Sequence, residues 1–244
     1  MGRTQSLTSS GRLAVVLVAV RNPLNIGAAA RAMCNFGFAD LRLVNPYEVA
    51  FRKARSAVGA TSLLANAREY PSVAEAVADC SLVIGSTAGR NRQIDHEMRS
   101  LPDGAPAVHK ALRSGNVALL FGSEKRGLSN HDLSYCHWLI RIPTVASNPS
   151  MNLGQAVSLC LYELAKDAKA KKNNTEASAK SADLDRVTAS LVKALQVSGY
   201  LKATNAESEQ KIRRMVRRLT LSTGDATTLT GMLRQMLWKM NAGE

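Results

Sequence analysis

The stretch Asn22–Met33, NPLNIGAAARAM, sets one arginine among small residues just after the apolar run LAVVLVAV at 13–20. A guanidinium fork can grip a phosphate bidentately, and low neighbours leave room for a sugar–phosphate backbone. At 100° per residue Ile26, Ala29, Met33 and Phe36 form one core stripe, while Arg31 lies about 200° round from Met33. Gly37 closes this helix as a left-handed cap. A second stretch, LLFGSEKRGLS at 119–129, carries Gly-x4-Gly at a strand end, which evokes a nucleotide phosphate loop. That loop needs Lys and then Ser or Thr straight after the second glycine, and Leu128 and Ser129 stand there instead. What remains is a glycine-bearing loop with Glu124 at the carboxyl end of a parallel strand, where open α/β sheets bind ligands. A third, RIPTVASNPSMNLGQAVSLCLYEL at 141–164, places Ser150 at the distance of an N-cap and Asn152 in the first turn of a strong helix. Its loop IPTVASNP offers backbone groups to a ligand. Taken singly, a surface arginine, a turn glutamate and a capping serine are the commoner explanations.

The bulk numbers narrow the function classes. In 244 residues, 32 Lys+Arg face 19 Asp+Glu, a formal net charge of +13. The excess is spread along the chain, at +6 over 1–165, +3 over 166–200 and +4 over 201–244, which suits a long polyanion footprint better than one ion pocket. Cys34, Cys80, Cys136 and Cys160 form no CxxC pair and read as small buried hydrophobes of a reducing compartment. The four histidines show no HxxxH or HExxH spacing, so no metal is expected. The polar start MGRTQSLTSSGR and the lack of a long apolar run predict a cytoplasmic protein without a membrane span.

The elements that must position those side chains follow from periodicity. Short apolar runs at 13–20, 41–44, 81–86, 117–122 and 138–142 read as strands buried on both faces. Helices are expected at 26–36, around 49–58, at 71–79, 105–114 and from Asn152 to about Lys169, where Leu153, Val157, Cys160, Leu161 and Leu164 form one apolar stripe. This alternation predicts an α/β domain over 1–165 with a mainly parallel sheet. A Lys-, Asn-, Ala- and Ser-rich linker follows at 166–182, then a small all-α extension over 183–244 with turns near Gly199 and Gly224. Within the extension Lys211, Arg213, Arg214, Arg217 and Arg218 alternate with Ile212, Met215, Val216 and Leu219. That pattern suits a helix packed on one side and touching RNA backbone on the other.

Together, NIGAAARAMCNFGF, FGSEKRGLS and IPTVASNPSMNLGQAVSLCLYEL resemble, in this order, the three motifs of the SpoU branch of the SPOUT RNA ribose methyltransferases, over roughly 13–165. Within that branch the chain is similar to the TrmJ type, which methylates the 2′-hydroxyl of nucleotide 32 in the tRNA anticodon loop and carries a helical C-terminal extension. A ribosomal RNA methyltransferase, or a catalytically silent RNA-binding relative, is the alternative. The resemblance implies a C-terminal trefoil knot, a homodimer and S-adenosyl-L-methionine as cofactor. By position it implies Asn25 and Arg31 as the polar pair of the first motif, Glu124 as the acid of the second, and Ser150 and Asn152 as the pair of the third. The cofactor would lie against Thr87, Ala88, Gly89, Gly122, Ile142 and the turn Ser150, Met151, Asn152. Gly122 would leave space that a side chain would fill.

Overall fold

A computed structural model of the chain describes residues 12–46, 57–88, 96–166, 177–201 and 206–241. The helix expected around 49–58 falls largely outside the described residues, as do Gly89 and most of the 166–182 linker.

Seven strands form one sheet: β1 (Leu13–Val18), β2 (Asp40–Val44), β3 (Arg68–Tyr70), β4 (Cys80–Ser86), β5 (Met98–Ser100), β6 (Asn116–Phe121) and β7 (Trp138–Arg141). Their order is β3-β2-β1-β6-β4-β7-β5, and every registered pair is parallel. The five expected strands are present. β3 and β5 are additional, because REY and MRS are short edge strands with charged side chains and show no apolar run. β1 ends at Val18 rather than residue 20, where Ala19 turns to φ 51° and donates its N–H to the Val44 carbonyl.

Leu13, Val15 and Leu17 face one layer, under helices α1 (Pro23–Phe36), α4 (Leu101–Ser114) and α6 (Leu153–Lys166). Ala14, Val16 and Val18 face the opposite layer, with α3 (Val73–Ala76) and the segment Leu128–Cys136 that includes α5 (Asn130–Leu133). Helix α2 (Thr61–Ala65) adds Leu63 and Leu64 to the first layer. With both faces covered, the central strands are apolar at consecutive positions. α1 starts at Pro23, earlier than expected, because the Asn22 side chain caps Leu24 N–H at 3.0 Å and proline fits the first helical position. Gly37, at φ 79°, is the expected left-handed cap. α3 is shorter than the 71–79 reading, and α4 starts four residues earlier than 105, capped by Ser100.

The C-terminal part forms α7 (Ser181–Val197), α8 (Ala206–Arg218) and α9 (Thr223–Asn241), packed about Leu184, Val187, Val216, Ala226, Leu233 and Leu237. The second turn lies at 219–222, where Thr220 takes φ 47°. Gly224 instead sits in the first turn of α9, because Ser222 and Asp225 cap each other's N–H and start the helix earlier. These helices lean on the sheet layer: Ala182 N–H donates to the Ala78 carbonyl at 3.0 Å.

One buried histidine ties β7 to β4. His137 donates its own N–H to the Val83 carbonyl at 2.8 Å, and its Nδ1 accepts the Val83 N–H at 3.1 Å. Burial, and after it the nearby Arg217 charge, push its pKa from 6.5 down to about 3. Between those values the unfolded chain binds a proton that the folded one refuses, so stability rises with pH across the window and falls as pH drops from 6.5. The slope is at most about 1.4 kcal/mol per pH unit. Urea unfolding midpoints should therefore fall between pH 7 and 5, and His137→Gln should flatten that part of the profile.

Candidate active site

Because the sheet is parallel, the loops after β1, β4, β6 and β7 leave it at one edge, the edge where open α/β sheets hold ligands. Glu124, in the loop after β6, reaches the turn after β1. Its Oε1 accepts the Asn25 Nδ2–H at 2.7 Å and the Asn22 N–H at 3.3 Å, and its Oε2 accepts the Arg21 N–H at 3.4 Å. Partial burial pushes its pKa up, but these hydrogen bonds outweigh it and hold the carboxyl below the usual range.

The relay continues. Asn25 Oδ1 accepts from Asn152 Nδ2 at 3.0 Å, and Asn152 Oδ1 accepts the Gly154 N–H at 2.9 Å. The ends dictate its direction. An ionised glutamate only accepts and a backbone amide only donates, so both asparagine amides can point one way only. One polar chain thus joins all three motifs, across 99 residues from Asn25 to Glu124 and 127 from Asn25 to Asn152. Glu124→Gln would set an NH2 donor against the Arg21, Asn22 or Asn25 donors. It should cost about 1–3 kcal/mol of local order, read as faster hydrogen exchange at residues 21–25 with little change at β4.

Asn152, not Ser150, caps α6, since its side chain and its carbonyl take the N–H groups of Gly154 and Ala156. That frees Ser150, which lies exposed on the wall of a cavity of about 380 Å³. Of the expected cofactor contacts, Thr87, Ala88, Gly122, Ile142, Ser150 and Met151 line this cavity. Asn152 stands behind it in the relay, and Gly89 lies outside the described residues. Glu124 also lines the cavity, with Lys125 and Arg126, which the sequence reading missed although the basic pair in FGSEKRG was visible.

Gly122 has a different cause from the expected one. A Cβ there would stand 2.0 Å from the Gly127 carbonyl carbon and 2.1 Å from Leu128 N, so the returning loop demands glycine. Gly127, at φ 66°, closes that return through a 2.8 Å bond to the Ser123 carbonyl. The small residues of α1 are also reassigned. Ala28 packs on Gly154 of α6, where a Cβ would lie 2.7 Å from that of Ala28, so they serve close helix approach.

Arg31 is exposed, makes no hydrogen bond or ion pair with a described residue, and does not line its own chain's cavity. It lies six residues beyond Asn25, roughly 9 Å along the helix axis. It shares an exposed face with Leu24, seven residues before it.

The basic stripe of the extension is divided by packing. Arg217, expected to touch RNA, is fully buried. It donates to the Tyr135 carbonyl at 2.9 Å, Ser181 Oγ at 3.1 Å and Asp185 Oδ1 at 2.8 Å. Arg213 is mostly covered as well. Its guanidinium lies 4.6 Å from the Tyr135 ring centre and Nη1 donates to Ser134 Oγ at 3.3 Å. Both arginines dock α8 onto the α5–β7 segment. Lys211 and Arg218 remain exposed and Arg214 half-buried.

Cys80, Cys136 and Cys160 are buried, and burial raises their thiol pKa values, to about 12 for Cys80 and Cys160. Cys34 departs from expectation by being exposed on α1. Among the described residues no group of His, Cys, Asp and Glu is arranged to hold a metal, and no helix is long and apolar enough to cross a membrane.

The chain is similar to known proteins over most of its length. TrmJ of Sodalis glossinidius, a tRNA (cytidine/uridine-2′-O-)-methyltransferase, is 32% identical over 229 residues, 90% of this chain and 89% of that protein. An uncharacterized tRNA/rRNA methyltransferase of Haemophilus influenzae is 38% identical over 151 residues, and this match spans 62% of the chain and 61% of that relative. The crystal structure of TrmJ from Z. mobilis ZM4 superposes with a TM-score of 0.81 at 32% identity, over 91% of this chain and 98% of that one. Residues 12–162 match the model of the SpoU rRNA Methylase family, from the first strand through the relay to the helix that Asn152 caps, and the chain belongs to that family.

Proposed function

We propose that the protein is an S-adenosyl-L-methionine-dependent RNA 2′-O-ribose methyltransferase acting on tRNA, at nucleotide 32 of the anticodon loop. The observation that carries this is the Glu124–Asn25–Asn152 relay, which draws three distant loops around one cavity. The cavity suits the cofactor: its volume falls in the usual ligand range, Ile142 and Met151 offer apolar walls to a flat base, and strand-end backbone supplies polar groups. The similarity to TrmJ proteins over nine-tenths of the chain supports the tRNA substrate. The family's knot would be threaded by the C-terminal part of the α/β domain. A parallel order that places β4 between β6 and β7 is compatible with it.

Bound in this cavity, the cofactor supplies a methyl group on a sulfonium, ready for in-line displacement. The chain must align a ribose 2′-oxygen and lower the cost of removing its proton. Arg31 is not the base, because a guanidinium presents only N–H donors and no acceptor for the hydroxyl proton. Its charge grips the adjacent phosphate and makes the 2′-hydroxyl more acidic, so that phosphate or water takes the proton late. Asn25 and Ser150 orient the ribose, while Glu124 and Asn152 position Asn25.

Arg31 reaches a cavity in a homodimer. Leu24, Leu159 and Tyr162 expose apolar surface on α1 and α6, with Phe36 edge-on to Tyr162 at 6.1 Å, and a second copy seated there would meet Arg31. The site is then shared between protomers. The direct test incubates purified protein and S-adenosyl-L-methionine with unmodified tRNA and maps the methylated nucleotide by mass. Methyl transfer only to ribosomal RNA, or to no RNA despite cofactor binding, would overturn the tRNA reading. Affinity for tRNA should fall steeply with salt, because displaced counterions drive backbone binding. A flat salt response would count against a phosphate footprint.

A further inference from the structure

The packing of Arg217 and Arg213 removes two of the extension's five cations expected to meet RNA, and a different surface of the extension has the chemistry for that task. Between α7 and α9 lies a notch of about 290 Å³. Arg186 of α7 and Arg234 of α9 line it, together with Thr227, Thr230 and Gly231. Residues 227, 230, 231 and 234 fall at i, i+3, i+4 and i+7, one stripe of α9. Arg234 is exposed and makes no hydrogen bond or ion pair with a described residue. Arg186 engages Asp183 through Nη2, and its side chain is 62% exposed. Thr227 and Thr230 donate their hydroxyl hydrogens to the Thr223 and Ala226 carbonyls of their own helix, at 2.9 and 2.7 Å. The arginines are left as the donors facing the notch.

Gly231 leaves the α9 side of the notch bare. Glycine weakens a helix interior relative to alanine, and a helical glycine is usually explained by a neighbour pressed against it. Here nothing lies within 4 Å of where a Cβ would stand, and φ is not in the left-handed region. The bare α9 backbone is open there to a group approaching between the two guanidinium forks.

We propose that the α7–α9 notch accepts a backbone phosphate of the RNA substrate, held by Arg186 and Arg234 over Gly231. This rests on the RNA methyltransferase reading above and adds an anchor for the RNA on the extension, apart from the reacting nucleotide. Charge selects the ligand, since two arginines outweigh the single Asp183 already paired with one of them. Phosphate is the group that a guanidinium fork fits.

The test uses the full chain with an unmodified tRNA transcript. In Arg186→Ala/Arg234→Ala, tRNA Kd should rise about tenfold at low salt. The slope of log Kd against log salt should shrink by roughly 0.7–0.9 for each phosphate that the variant no longer neutralises. Calorimetric affinity for S-adenosyl-L-methionine and kcat at saturating tRNA should be unchanged, so that the defect sits in KM. Gly231→Ala separates ligand from packing: its thermal midpoint should hold or rise while tRNA affinity falls severalfold. Wild-type tRNA affinity and salt slope in both variants would overturn the proposal. So would a Gly231→Ala chain that loses stability and affinity together, because that marks a packing role. If the wild-type chain methylates no RNA, the preceding reading fails, while the binding slopes still judge the notch.

Discussion

Arg31→Ala is expected to lower methyl transfer by about a hundredfold or more, the scale seen when one preorganised charge at a reacting centre is removed, while leaving fold and cofactor affinity intact. Arg31 is exposed and does not line its own chain's cavity, so its loss opens no buried void. Surface changes of that kind stay within about 0.5 kcal/mol in stability. Arg31→Lys should recover only part of the rate, because an ammonium keeps the charge and loses the fork. Single-turnover rates with tRNA, beside calorimetry with S-adenosyl-L-methionine, decide the matter, and a wild-type rate in the alanine variant would end the proposed role. The shared site has its own check. Mixing Arg31→Ala chains with Ser150→Phe chains, whose own cavity is filled, should restore turnover that neither parent shows. No rescue would put Arg31 at its own chain's cavity instead.

Arg217→Met is expected to destabilise the protein by about 3 kcal/mol, since it removes three hydrogen bonds made by a fully buried guanidinium. The substitution keeps most of the side-chain volume but takes the Arg217 donors from the Tyr135 carbonyl, Ser181 and Asp185, the last of which keeps Arg213 at 3.9 Å. For a chain of this size that amounts to a fall of about 6–12 °C in Tm. Lys211→Ala and Arg218→Ala should leave Tm unchanged, because both side chains are exposed. Differential scanning calorimetry separates the two cases. An unchanged Tm in Arg217→Met would mean that α8 does not dock through this arginine.

Much of the architecture was legible along the chain. A strand covered on both faces must be apolar at consecutive positions, as LAVVLV and VALLF are. A helix with one buried face repeats near 3.6, as α6 does, and a helix ended by Gly37 announces its cap. The edge strands REY and MRS escaped notice because an edge asks little of its side chains. The polar residues of the site could be named from their motifs, since a loop at the carboxyl end of a parallel strand is already a local property.

Partnership across the chain was beyond such reading. Periodicity puts Arg217 and Arg218 on adjacent positions of one basic helix, and only packing against Tyr135, 82 residues away, makes the first a buried clamp and leaves the second in water. Gly122 and Gly154 look alike in the sequence, yet one admits the backbone of its own loop and the other the methyl of Ala28. Asn25, Glu124 and Asn152 carry hydrogen-bonding groups anywhere, but their donors and acceptors acquire a direction only when the sheet order brings three strand ends to one edge. Side-chain type and spacing depend on neighbours a few bonds away, whereas burial and hydrogen-bond partners depend on which distant segments share a surface. That sharing is why the relay and the buried arginine emerged from the assembled fold alone.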